Sequence, residues 1–193
     1  MAKKESSFLN MVLTLFLVTL IASAALGYVY ELTKDPIAQA KMSKKTEAIK
    51  QVVPEFNNIP SDEGFSVFAD GDSLKFYPAK KDGELVGTAI ETFTNNGFSG
   101  NIKLMVGLLP DGSIYDIAVI EHKETPGLGD KMEKKKSNFS EQFKGKNPDN
   151  FKIKVTKDGG DVDAITASTI SSRAYCDAVL RAYNNYIKEG GNK

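Results

Sequence analysis

The chain of 193 residues contains one cysteine, one histidine and no tryptophan. The lone Cys176 rules out an intramolecular disulfide and any zinc or iron–sulfur centre held by cysteines alone. With His122 as the single histidine there is no H-E-x-x-H zinc site, and no C-x-x-C-H exists for c-type haem. A Ser-His-Asp triad would have to use His122, and no Gly-x-Ser-x-Gly elbow accompanies it. A dinucleotide-binding Gly-x-Gly-x-x-Gly is also missing. Charge of either sign is not in excess, since 25 Lys and Arg balance 25 Asp and Glu, so no global field recruits nucleic acid. The Lys134-Lys135-Lys136 run has no interleaved aromatics and reads as a solvated face. Internal repeats and low-complexity segments are absent. Equipment for acid–base or hydrolytic chemistry is scarce, so any chemistry is borrowed from a cofactor.

What is present begins with a long apolar run. From Phe8 to Tyr30 no charge appears, and the length suits a helix crossing a bilayer core of about 30 Å. Ala22-Ser23-Ala24 resembles a signal-peptidase site, but the apolar stretch continues through Leu26, Tyr28, Val29 and Tyr30. That continuation favours an uncleaved anchor, with the two tyrosines suited to the interfacial belt. Lys3 and Lys4 precede the span, while Lys34, Lys41, Lys44 and Lys45 follow it. A strict lysine count keeps the domain inside, although long domains translocate largely regardless of charge.

Asp35-Pro36 reads as the N-cap and first position of a second helix, reaching about Val53 and ending at Pro54. Its Lys41, Lys44, Lys45 and Lys50 are expected on a solvated face or against lipid headgroups. Phe65 to Glu121 is strand-like. Leu74–Tyr77 and Leu85–Phe93 flank Asp82-Gly83, and Ile102–Leu109 and Ile114–Glu121 flank Pro110-Asp111-Gly112, giving two antiparallel hairpins. Thr94 to Gly100 lies between them as a loop. A helix is expected from Lys131 to Phe143, and a strand from Phe151 to Thr156 followed by the Asp158-Gly159-Gly160 turn.

Two motifs carry the chemistry. Glu124-Thr125-Pro126-Gly127-Leu128-Gly129 follows a strand, and its proline and two glycines fix an unusual backbone path that presents Leu128 at the tip. Such a surface suits a flat ring, with Thr125 and nearby N–H groups offered to its polar edge. The second motif is Asp163-Ala164-Ile165-Thr166-Ala167-Ser168-Thr169-Ile170-Ser171-Ser172. An amphipathic helix follows it, with Ala174, Tyr175, Ala178, Val179, Ala182, Tyr183, Tyr186 and Ile187 at three- and four-residue steps and Gly190-Gly191 at the end. Thr169 therefore sits at the helix N-terminus, where unpaired N–H groups and the macrodipole favour a phosphate. By itself this is also what an ordinary N-cap looks like. Cys176, among the helix's apolar positions, reads as a buried structural thiol.

The second motif resembles the flavinylation sequence Asp-x-Ile-[Ser/Thr]-Gly-Ala-Thr-x-[Ser/Thr]-Ser of the covalent FMN-binding domain family, found in Rnf and sodium-pumping quinone reductase complexes. Ala167 stands where that pattern has Gly, and Ser168 where it has Ala. Both replacements are small and leave the acceptor in place. The intact Glu-Thr-Pro-Gly-Leu-Gly resembles the family's ring-packing loop, and Gly97-Phe98-Ser99-Gly100 its glycine-aromatic-glycine loop. With overall length, the single anchor and the His122-to-Gly129 stretch taken together, the chain resembles the G subunits of Rnf complexes more than the longer C subunits of the sodium-translocating NADH:quinone reductase.

The resemblance implies FMN joined through its phosphate to Thr169 by a flavin transferase, with Glu124, Thr125, Gly127, Leu128 and Gly129 against the ring. Thr166, Ser168 and Ser172 would donate to the phosphate or ribityl chain, or else cap the helix. Glu124 would set the loop geometry or disfavour a negatively charged reduced flavin, and His122 would border the flavin or be a satisfied surface residue. The implied fold is α+β: antiparallel strands with flanking helices, tethered by one N-terminal transmembrane helix. Its expected parts are a cytoplasmic N-terminus (1–7), the membrane helix (8–30), a helical linker (31–60) and an extracytoplasmic FMN-binding domain (61–193). The implied role is electron carriage in a bacterial inner-membrane complex coupling electron flow between ferredoxin and NAD to Na+ or H+ movement. Other membrane subunits and the lipid bilayer would be its partners. A tethered non-redox binding module and a substrate reductase using the same flavin are the competing classes.

Overall fold

The computed structural model describes residues 7–69 and 71–190, and the chain divides into two compact units, Met1–Ser43 and Lys44–Lys193. Helix α1 (Phe8–Val52) starts in the first unit and ends in the second. Its N-terminal part is apolar on every side rather than along one stripe, and its side chains are exposed. An all-round apolar helix requires an apolar surrounding. The stretch from Phe8 to Tyr30 extends about 34 Å at the usual helical rise, long enough to cross a membrane.

The helix does not restart at Asp35. Pro36 lies inside α1, where it removes one backbone hydrogen bond. The residues around it (Glu31, Leu32, Lys34, Ala38, Ala40, Lys41) are good helix formers, which sustain the helix past the missing bond.

The second unit is built on a five-stranded antiparallel meander: β1 (Phe65–Ala69), β2 (Asp72–Lys81), β3 (Glu84–Gly97), β4 (Gly100–Leu108) and β5 (Ile114–Glu121), in that spatial order. Period-two alternation divides the side chains between two cores. Leu74, Phe76, Ile90, Leu104 and Val106 face helix α2 (Thr169–Lys188), which contributes Ala174, Tyr175, Ala178, Val179 and Ala182. Tyr77, Ala79, Ala89, Met105 and Ala118 face the other way, onto Ala48, Ile49, Val52 and Val53 at the end of α1. The sheet is thus covered on both faces. Each large apolar side chain fully buried in these cores contributes roughly 1.5–3 kcal/mol.

Both expected hairpins form. Asp82 (φ 54°) and Gly83 (φ 88°) are left-handed, as a two-residue turn matched to strand twist requires. The expected loop 94–100 is shorter than its sequence suggests, because β3 runs to Gly97 and pairs with Gly100 across Phe98-Ser99.

Other expectations are corrected. Lys131–Phe143 is not one helix but two 3-10 turns, Gly129–Met132 and Phe139–Phe143. Ser137 breaks the run: its hydroxyl donates to the Lys131 carbonyl and accepts from the Phe139 N–H, competing with helical bonding. Phe151–Thr156 is not a strand. Its backbone folds against 158–162 instead, with Lys152 N–H on the Asp161 side chain and one isolated bridge, Val155 to Val162. Lys45 is only partly exposed, since it pairs with Glu91 at 2.7 Å over the Tyr77 ring, whereas Lys44 stays exposed while reaching the Ile120 carbonyl. Ile187 is exposed although it continues the apolar pattern of α2. Cys176 is buried, and that burial pushes its thiol up to about 12, leaving it without thiolate reactivity.

Candidate functional site

The Thr125–Leu128 turn is set by its sequence. Pro126 fixes the second position, Gly127 takes φ 79° at the third, and the Leu128 N–H closes onto the Thr125 carbonyl at 3.2 Å. Proline followed by a glycine of positive φ is the requirement of a type II turn. Leu128 is thereby left 41% exposed at the tip, while Gly129 turns inward and is buried.

Below the turn lies Glu124, only 5% exposed. Its Oε1 accepts the Ser99 N–H at 2.9 Å, and its Oε2 accepts the Ser171 hydroxyl at 2.5 Å. One carboxylate therefore ties together the β3–β4 hairpin tip, the 124–129 loop and the first turn of α2. Two glycines make room for it. A Cβ on Gly129 would lie 2.7 Å from Oε2, and one on Gly97 would lie 2.8 Å from Oε1.

Helix α2 starts at Thr169. Its cap residue, Ser168, makes no side-chain bond to the first-turn amides. The Ser168 hydroxyl instead donates to Ser171 Oγ at 2.8 Å, and Ser171 donates on to Glu124. The helix's leading N–H groups consequently keep their electrostatic pull on an anion. Thr169 is half-buried, and its hydroxyl makes no hydrogen bond among the described residues. α2 is held in place from inside by Tyr175, fully buried against Phe139 and Phe143, and along its length by Thr92 Oγ1 donating to the Ala178 carbonyl.

These three segments enclose a cavity of about 340 Å³, within the usual size of small-molecule sites. Glu124, Thr125, Leu128, Gly129, Ser168 and Thr169 line it, together with Phe98, Ala167, Ile170 and Ser171. Phe98, Leu128 and Ile170 give it an exposed apolar rim. A larger cleft of about 480 Å³ between the end of α1 and β5 gathers charged side chains but neither motif.

Not every predicted site residue converges here. Thr166 is exposed and lines a separate groove with Lys131, Gln142 and Asp163. Ser172 points inward and caps locally, donating to the Ser168 carbonyl and accepting from the Ile165 N–H. Gly127 shapes the turn without lining the cavity. His122 is not on the cavity wall either. Its Nδ1 accepts the Glu124 N–H at 3.0 Å, so Nε2 carries the proton it shares with Glu133 at 2.7 Å. Burial pushes the Glu133 carboxyl up, but hydrogen bonds from His122 and Lys136 outweigh it and leave its pKa lowered.

Phe98, Ala167, Ile170 and Ser171 join the cavity from outside the expected set. The Gly-Phe-Ser-Gly pattern is a signal for Phe98, and the crowded hydroxyls around Thr169 are a signal for Ser171. Nothing local marks Ile170.

Ala167 adopts φ 60°, a left-handed conformation that strains a residue with a Cβ. Ala167→Gly is expected to stabilise the fold by up to about 1 kcal/mol, a rise in Tm of about 2–4 °C in thermal unfolding.

The sequence has relatives. The FMN-binding domain family matches residues 97–184, and the family described as RnfG N-terminal region matches residues 1–52. The chain is 39% identical over 173 residues to the G subunit of the ion-translocating oxidoreductase complex of Shewanella amazonensis, covering 84% of this chain and 80% of the relative. It is 37% identical over 177 residues to the protein of the same name in Haemophilus influenzae strain PittEE, with 86% and 83% covered. A solved structure, NqrC of Shewanella oneidensis, aligns with a TM-score of 0.47 at 18% identity, over 73% of this chain and 71% of that one.

Proposed function

Because this chain belongs to the family of G subunits of ion-translocating oxidoreductase complexes and carries an FMN-binding domain, we propose that FMN is esterified through its phosphate to Thr169. The chain then serves as a fixed electron carrier within that complex. The observation that carries this reading is the Thr169 hydroxyl, unpaired among the described residues, at a helix N-terminus inside the cavity that no side chain caps. The cavity fits such a group in each of its parts. The leading amides of α2 would hold the phosphate, and Leu128, Phe98 and Ile170 would flank the apolar ring. Thr125 would offer its hydroxyl to the polar edge, and Ser168 Oγ, whose proton goes to Ser171, would accept from the ribityl chain.

When bound, FMN supplies reversible electron transfer. The protein's contribution is to keep the group from dissociating, orient it and shield it from water. A separate flavin transferase is needed to form the ester, and the Thr169 hydroxyl, bonded to no other group among the described residues, is open to it. We further assign the globular unit to the outer face of the cytoplasmic membrane, with α1 as a single span in contact with lipid. The neighbouring subunits of the complex would be its redox partners, in electron flow between ferredoxin and NAD coupled to Na+ or H+ movement. A C subunit of a sodium-translocating quinone reductase is the weaker assignment, since the G-subunit relatives cover most of the chain at 37–39% identity.

The test is intact mass and peptide mapping of the protein from its native host. An increment equal to FMN joined with loss of water, located on the peptide containing Thr169, is the expected result. An unmodified chain, with the transferase demonstrably active in the same cells, would leave a tethered binding module as the reading.

A further inference from the structure

We propose that Glu124 lowers the reduction potential of the flavin held in this cavity, acting as a fixed negative charge in its wall. This rests on the FMN reading above. The carboxylate is 5% exposed and lines the cavity. Among the described residues it is held only by neutral donors, the Ser99 N–H at 2.9 Å and the Ser171 hydroxyl at 2.5 Å. The ion pairs formed by its sequence neighbours pass it by: His122 with Glu133, and Lys136 with Asp130 and Glu133.

Dipoles of this kind stabilise a carboxylate locally without cancelling its charge, whose field reaches across a poorly solvated cavity. Gly97 and Gly129 keep it there, since a Cβ on either would come within 3 Å of a carboxylate oxygen. Each electron delivered to the ring adds one negative charge beside this carboxylate, except where a proton accompanies it. The reduced form is therefore disfavoured relative to the oxidised form, and the midpoint falls. The same two hydrogen bonds also brace the three segments around the cavity, so charge and geometry need separate readouts.

The experiment is a mediator-coupled spectroelectrochemical titration of the full-length, flavin-loaded protein in detergent. Glu124→Gln keeps the size of the side chain: its carbonyl can accept the Ser99 N–H, and its amide can donate to a rotated Ser171 hydroxyl. The expected result is a midpoint above the wild type for Glu124→Gln. Ser171→Ala, which keeps the charge and removes one of its donors, is expected to move the midpoint below the wild type. It also serves if the glutamine variant fails to fold or load. An unshifted or lowered midpoint in Glu124→Gln, or an unshifted or raised one in Ser171→Ala, would overturn the proposal and leave Glu124 a brace. A wild-type protein that carries no flavin would instead overturn the FMN reading, a different failure.

Discussion

Thr169→Ala is expected to abolish flavin attachment completely while leaving the fold intact. Chemically, alanine has no oxygen with which to form the ester, and the serine hydroxyls beside it in the motif are committed: Ser168 to Ser171, Ser171 to Glu124, and Ser172 to the Ser168 carbonyl. Structurally, the Thr169 hydroxyl makes no hydrogen bond among the described residues, and its side chain stands on the first residue of α2. Its removal is expected to change stability by only about 0.5 kcal/mol. Thr169→Ser, which keeps the hydroxyl, should retain the flavin. Mass spectrometry reads attachment, and thermal unfolding checks that the fold survives. Flavin still covalently bound in the alanine variant would move the acceptor elsewhere.

Gly107→Ala is expected to produce a large loss of stability, the sharpest steric conflict among the glycines whose surroundings are described. Gly107 lies in β4 beneath the last turn of α1, and a Cβ there would sit 1.5 Å from the Val52 carbonyl oxygen and 2.5 Å from its carbon. Both are backbone atoms, so no rotamer change relieves the overlap. The end of α1 would have to lift, uncovering Met105, Ala89 and Tyr77, which Ile49, Val52 and Val53 now bury. Overpacking of this kind costs on the order of 3 kcal/mol, or a fall in Tm of about 6–12 °C at this chain length. Flavin attachment, on the opposite face of the sheet, should persist below the new transition. An unchanged Tm would show that α1 does not close that face.

The apolar run, the two hairpins and α2 could be read from the chain because each depends on local rules. Alternation of period two fixes which strand residues face which layer, and Asp82-Gly83 states its own turn. The steps of three and four from Ala174 onward state a helix whose first residue is Thr169. The Thr-Pro-Gly-Leu turn likewise follows from proline and glycine alone. Where local rules gave a wrong answer, hydrogen bonds outside the regular helix or strand pattern had intervened. Lys131–Phe143 has a helical pattern, but Ser137 diverts its hydrogen bonds, and Phe151–Thr156 has an extended one, but Asp161 and Val162 fold back on it. Lys45 reads as solvated because nothing near it in sequence reveals that Glu91 lies alongside.

The candidate site divides along the same line. The proposed acceptor hydroxyl and the turn proposed to flank the ring lie in short contiguous motifs, and so does the signal for the cofactor class, so the sequence by itself was enough to name all three. The bond from Ser171 to Glu124 joins residues 47 positions apart, and the cradle for that carboxylate needs Gly97 from a third segment. Only the tertiary structure could decide that Glu124 is buried and bridged, that Ser172 and Thr166 lie off the cavity, and that the cap of α2 is left open. Each of these depends on which hydrogen-bond partner a side chain meets once the sheet and helix have packed, and that choice is made by long-range contacts rather than by neighbours in the chain.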